Sequence, residues 1–275
     1  MQKKYLIISI YFLLIWSAST FPIAIAQNAH SQHEVHSDAT AEKSFKAELS
    51  VPDGIKQEEP FKIKIFIKDD KGETVSDFDM FQEKLMHLIL VSNDLLFFSH
   101  LHPEYQGNGY FLTDATLPSA GGYTLFCDYK PSGDKEQLSV LQLGIKGEAK
   151  PSNSTDIITR EKLIDDIKVS LSFSPETVKA NKETNIIFDL KQALDNTSVK
   201  GLKPYLGEKG HLVIIKKSPV FTSKSYIHAH AMKGGEDSKI EFMTSFPEPG
   251  LYKMWCQFDN KGKIMVADFW ITVKH

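Results

Sequence analysis

Two stretches of this chain, Leu117-Pro118-Ser119-Ala120-Gly121-Gly122-Tyr123-Thr124-Leu125-Phe126-Cys127-Asp128-Tyr129 and Phe246-Pro247-Glu248-Pro249-Gly250-Leu251-Tyr252-Lys253-Met254-Trp255-Cys256-Gln257-Phe258, align without a gap. Proline, glycine, tyrosine and cysteine coincide. Upstream, Met86-His87-Leu88-Ile89-Leu90-Val91 matches Gly210-His211-Leu212-Val213-Ile214-Ile215, and Ser99-His100-Leu101-His102 matches Ile227-His228-Ala229-His230. The order His, His-x-His, Pro-x-x-Gly-x-Tyr, Cys therefore occurs twice, and the chain is an internal duplication.

Each copy reads as β-structure. Phe61, Ile63, Ile65 and Ile67 alternate with Lys62, Lys64 and Lys68, the two-residue period of a half-buried strand. Further strands are predicted in the first copy at Phe45 to Val51, His87 to Val91, Leu95 to His102, Tyr110 to Thr116, Tyr123 to Tyr129 and Leu138 to Ile145. The second copy repeats the pattern from Ile167 to Val273. Turns such as Asp70-Lys71-Gly72 and Asn260-Lys261-Gly262 punctuate the runs. No segment has sustained helical periodicity. About seven short strands per hundred residues predict an all-β fold of two tandem immunoglobulin-like or cupredoxin-like sandwiches.

The expected organisation is a signal peptide over 1–26, a disordered His-containing segment over 27–44, repeat 1 over 45–147, a linker over 148–164 and repeat 2 over 165–275. Lys3 and Lys4, the apolar run from Tyr5 to Trp16 and the small residues Ala24 and Ala26 carry the signal reading. That run is too short, and too interrupted by Ser17, Ser19 and Pro22, for a membrane anchor. No later segment is long and apolar enough to span a bilayer. The expected mature protein is exported, periplasmic or extracellular. The 275 residues carry a net charge of -3, against binding to nucleic acid by phosphate neutralisation. Two cysteines exclude a disulfide-rich miniature scaffold.

Ten histidines are present. His30, His33 and His36 form a polar tract suited to loose metal capture. Six of the other seven hold the repeated positions. Residues two apart on a strand share a face, so His100 and His102 converge, and His87 on a neighbouring strand supplies a third imidazole. His228, His230 and His211 do the same in the second copy. Imidazole suits copper, zinc, iron and nickel. The competing reading is that these rings are only hydrogen-bonded at a sandwich rim.

Cys127 alternates with Tyr123, Leu125 and Tyr129, and Cys256 with Tyr252, Met254 and Phe258. Each thiol is expected to point into its own sandwich, which argues against a disulfide between them. A buried apolar role and a thiolate joining the histidines both stay open, so Cys127 and Cys256 are carried as candidate ligands. Phe126 and Trp255 face the other way and are expected to pack against a loop, an inter-repeat interface being the alternative.

A blue-copper centre needs a histidine soon after the cysteine, and none follows Cys127 or Cys256. His-Leu-His-Pro-Glu104 suggests a cupin set, but the second copy has Ala231-Met232 at that place. Neither a Gly-x-Ser-x-Gly elbow nor a phosphate loop occurs, so no enzyme is expected.

The segments Glu83-Lys84-Leu85-Met86-His87-Leu88, His100-Leu101-His102-Pro103, Pro118-x-x-Gly121-x-Tyr123 and Pro204-Tyr205-Leu206-Gly207-Glu208-Lys209-Gly210-His211 resemble a group of uncharacterised exported bacterial proteins with paired β-sandwich repeats. The resemblance covers about residues 45 to 274 and implies a link to copper or other heavy-metal handling. Ala231, where the first copy has Pro103, departs from the pattern. The expected function is storage, buffering or delivery of a metal ion, copper first and zinc second, with a metal transporter or metalloprotein as partner. The alternative is a non-enzymatic interaction or structural module whose histidines are structural.

Overall fold

The computed structural model describes residues 44–147 and 156–275. The expected signal peptide and His30, His33 and His36 lie outside the described residues. Repeat 1 contains β1 (Lys46–Ser50), β2 (Pro60–Lys68), β3 (Met86–Ser92), β4 (Phe98–Leu101), β5 (Glu104–Gly107), β6 (Tyr110–Thr116), β7 (Gly121–Tyr129) and β8 (Gln137–Ile145). Repeat 2 contains β9 (Glu161–Ile164), β10 (Ile167–Ser174), β11 (Glu183–Gln192), β12 (Leu202–Lys203), β13 (His211–Lys216), β14 (Tyr226–His230), β15 (Lys239–Ser245), β16 (Gly250–Asn260) and β17 (Lys263–Val273). One 3-10 turn, Ser223–Ser225, precedes β14. Among the described residues no helix is long and apolar enough to cross a membrane.

The fold is two tandem immunoglobulin-like β-sandwiches. In repeat 1 the sheet β1-β2-β6-β5 packs on β4-β3-β7-β8. In repeat 2 the sheet β15-β11-β10-β9 packs on β14-β13-β16, with β17 and the short β12 also paired to β16. Strand β2 shows the cause in miniature: Phe61, Ile63, Ile65 and Ile67 are buried in the core while Lys62 and Lys64 are exposed.

The repeated Pro-x-x-Gly-x-Tyr motif is a tyrosine corner in each sandwich. The Tyr123 hydroxyl donates to the Ser119 carbonyl at 2.7 Å, and the Tyr252 hydroxyl donates to the Glu248 carbonyl at 2.7 Å. Gly121 and Gly250 sit between these partners with φ of 131° and 143°, which disfavours side chains. A Cβ at Gly250 would also come within 3.0 Å of Lys216 Cε.

Strands β3 and β13 are buried almost end to end, so their sheets are covered on both faces. One face feeds each sandwich core through Met86, Leu88 and Leu90, or Leu212 and Ile214. The other feeds a third core between the repeats, built from Ile89, Val91, Leu95, Phe126, Val213, Ile215, Phe221, Tyr226, Trp255 and Trp270. Phe126 stacks on Tyr226 at 4.7 Å, and Trp255 stacks on Phe98 at 4.9 Å. In the duplication Phe126 corresponds to Trp255 and Phe98 to Tyr226, so the two stacks are counterparts. The joint is a two-fold-like interface made within one chain. This corrects the expectation that Phe126 and Trp255 pack against a loop.

Other elements differ from the sequence reading. Strand β4 begins at Phe98 rather than Leu95, because Leu95 takes a left-handed φ of 61° and the Phe97 N–H donates to Ser92 Oγ at 2.9 Å, closing a turn. Strands β5, β9 and β12 were not predicted. They span four, four and two residues, too few for a periodic signal.

Phe126→Ala is expected to cost about 3–5 kcal/mol, the usual range for truncating a buried aromatic. Tyr252→Phe keeps the ring and loses one buried hydrogen bond, so about 1 kcal/mol is expected. Urea unfolding measures both, and equal costs would contradict this ranking.

Candidate metal centre

The polar end of the inter-repeat joint is made of histidine. On β3, His87 shares the outward face with Ile89 and Val91, and it pairs in register with Asp128 of β7. His100 on β4 lies opposite Ile89, and His102 follows that strand. In repeat 2, His211 opens β13 and is paired with His230 of β14, while His228 lies opposite Val213. His87 and His211 are fully buried; His100, His102 and His228 are partly buried, and His230 is exposed. His87, His100 and His102 offer nitrogen atoms all within 4.8 Å of one another, as do His211, His228 and His230.

What surrounds the rings determines which nitrogen faces inward. His87 Nε2 lies 3.3 Å from the Phe81 carbonyl, and His211 Nε2 lies 3.1 Å from the Tyr205 carbonyl. A carbonyl only accepts, so both Nε2 atoms carry the proton in this arrangement. His100 Nδ1 donates to Gln257 Oε1 at 2.7 Å, and His228 Nδ1 donates to Asp128 Oδ2 at 3.3 Å. These two bonds cross the joint in opposite senses, from counterpart positions of the duplication.

With the protons held outward, the inward nitrogens present bare lone pairs. His87 Nδ1 stands 3.0 Å from His100 Nε2, and His211 Nδ1 stands 3.4 Å from His228 Nε2. Two lone pairs at that separation repel unless a cation lies between them. An ion about 2.0–2.1 Å from each nitrogen needs nitrogens about 3–3.5 Å apart. His102 Nε2 is a buried polar atom with no hydrogen-bond partner and completes the first set. His230 completes the second. Gln82 reaches across the joint to hydrogen-bond its ring, and Gln82 Oε1 is itself buried and unpartnered.

Protonation of these rings is disfavoured. Burial, then neighbouring His228 and His102, pushes His87 down to about 2. Burial, then His228 and His230, pushes His211 down to about 3. His102 falls to about 4 through burial, Lys84 and His228; His230 falls to about 4 mainly through burial and His228. Burial chiefly holds His100 well below its usual range as well. Neutral imidazole is the form that ligates metal.

The cysteines do not join this site. Cys127 and Cys256 are fully buried in their respective sandwich cores, on the strand faces opposite Asp128 and Gln257. Both are free thiols, and burial pushes their ionisation far up, so the thiolate needed for ligation is disfavoured. The expectation of thiolate ligands is corrected accordingly, and no disulfide forms. Sequence reasoning missed Asp128, Gln257, Gln82 and the carbonyls of Phe81 and Tyr205. One signal was available: strand alternation puts Asp128 and Gln257 on the same faces as Phe126 and Trp255. The carbonyls come from matched tight turns, with positive φ at Gln82 and Glu83 and at Leu206 and Gly207.

A family model described as "Domain of unknown function (DUF8832)" matches residues 39–142 and 162–275, one match per repeat. No curated protein matches the chain. Among solved structures, a tetra-tandem repeat from the extending region of a large adhesion protein is 9% identical over 84% of this chain, with a TM-score of 0.29. The chain covers 50% of that structure. Salmonella alpha-2-macroglobulin reacted with methylamine is 11% identical over 84% of this chain and 15% of its own, with a TM-score of 0.29. Invasin, a bacterial integrin-binding protein, is 11% identical over 82% of this chain and 39% of its own, with a TM-score of 0.21.

The depressed histidines set a pH dependence. Their folded values lie below the ordinary 6.5, so the unfolded chain binds more protons between those values. Stability of the metal-free protein is complete above about pH 6.5 and falls as pH drops toward 4. Urea midpoints across that range measure it; a flat profile would mean the rings protonate freely in the fold.

Proposed function

The chain belongs to the DUF8832 family, whose description carries no activity, and we propose that it is an exported metal-binding protein for storage, buffering or delivery. Each repeat contributes one histidine site: His87, His100 and His102, or His211, His228 and His230. The observation that carries this reading is the doubled pair of inward nitrogens, 3.0 and 3.4 Å apart, with the outward nitrogens of those four rings each facing an acceptor. Copper is favoured over zinc, because copper(II) heads the divalent affinity series at imidazole sites. A metal transporter or a metalloprotein receiving the ion is the partner this role implies. Turnover is not part of the proposal.

The outward partners fit the role of groups that orient metal-bound imidazoles. Asp128 behind His228 makes a carboxylate–histidine pair, whereas Gln257 behind His100 is neutral. The second reading, a non-enzymatic interaction or structural module, is favoured by the contact of Gln82 with His230, which gives that ring a hydrogen-bond partner without an ion.

The two separate in one measurement. Full mature chain carrying His30→Ala, His33→Ala and His36→Ala is loaded with copper(I), copper(II) or zinc and assayed for bound metal. About two ions per chain are expected, and none after further changing His100, His102, His228 and His230 to alanine. A parent that stays empty with all three ions sinks the metal reading. In the same assay Asp128→Asn is expected to weaken binding by about 10–100-fold at the second triad. Unchanged affinity would show that the carboxylate does not act through His228.

A further inference from the structure

The two triads are not separated as two independent sites would be. Within a triad, ring centroids lie 4.6 to 5.8 Å apart, as between His100 and His102 or between His211 and His230. Across the joint, His87 stands 5.5 Å from His228 and 6.3 Å from His211. His100 stands 5.8 Å from His228 and 6.1 Å from His211. The four inner rings are thus almost equally spaced, whichever repeat they come from. His102 packs only on His87 and His100, and His230 only on His211 and His228, among the ring contacts of the site. The order is outer ring, two inner rings, two inner rings, outer ring.

The inner four are also cross-braced. Gln257 of repeat 2 fixes His100 of repeat 1, and Asp128 of repeat 1 fixes His228 of repeat 2. Glu83 of one tight turn reaches Gly207 of the other, where a Cβ would meet its carboxylate at 3.3 Å. Neither repeat alone provides the oriented set.

We infer that the two triads hold two copper ions as one coupled pair astride the repeat boundary, joined by a small bridging ligand such as hydroxide. This rests on the proposed ligand role of the histidines. Three imidazoles leave a four-coordinate ion one open position. A single bridging oxygen fills that position on both ions, as in two-metal sites, where the ions stand about 3.5–4 Å apart. No redox step is involved: hydroxide enters from water with release of one proton to solvent, and both ions keep their charge.

The test uses the full mature chain with His30, His33 and His36 changed to alanine. Copper(II) is added at one and two equivalents, bound metal is counted, and electron paramagnetic resonance is recorded. At two bound ions the expected spectrum integrates to far less than two spins or shows a half-field transition. His230→Ala, which removes one triad member at the exposed edge, is expected to return a one-ion signal of full intensity; circular dichroism confirms its fold. Two bound ions with additive, isolated signals overturn the pair but leave the metal reading standing. Saturation at one ion per chain also overturns the pair, in favour of one shared ion. No bound copper at all overturns both.

Discussion

Burial of one sheet on both faces is the constraint from which the rest of the structure follows. A solvated face on β3 or β13 would let each repeat stand alone as a sandwich. Instead Ile89, Val91, Val213 and Ile215 bring apolar side chains to the outside of their sheets, where only another sheet can cover them. The counterpart stacks of Phe126 on Tyr226 and Trp255 on Phe98 define how the two faces meet. Once that joint closes, the next residues along the same faces, His87 and His211, have nowhere to go but into it.

Packing six imidazoles at one joint, with His87 and His211 fully buried, is costly unless each buried polar atom finds a partner. The fold satisfies the outward nitrogens with carbonyls, an amide and a carboxylate, and leaves the inward ones facing each other. The unpartnered His102 Nε2 belongs to the same pattern. A joint built only for adhesion between repeats would be more stable with apolar side chains at those positions. The paired inward nitrogens recur in both copies, and the unpartnered His102 Nε2 and Gln82 Oε1 lie beside them.

Much of this was legible from residues. The duplication exposed the six histidines as paired sets, and the alternation around Cys127 and Cys256 placed the thiols in the cores, with ligation the reading that the structure removes. Tyr123 and Tyr252 were visible as repeated residues, but their corner role depends on a hydrogen bond four residues back that spacing alone does not show. The run from Met86 to Val91, apolar at nearly every position after the histidine, held the cue for two-sided burial, and its consequence for Phe126 and Trp255 went unread. Convergence of the two triads depends on how one sandwich docks on the other. That docking is a tertiary property of many side chains, and no local spacing encodes it.

The duplication is not perfect at the centre, and the differences are chemical. Asp128 is a carboxylic residue where Gln257 is an amide, and Gln82 faces His230 where the side chain of its counterpart Leu206 has no polar atom. Two nearly equivalent triads thereby become distinguishable. The most direct test of the account is a crystal structure of the copper-loaded protein with anomalous scattering recorded at the copper edge. The account predicts anomalous density within each triad, beside His87, His100 and His102 and beside His211, His228 and His230. Fully occupied crystals with density elsewhere and none between these rings would contradict it.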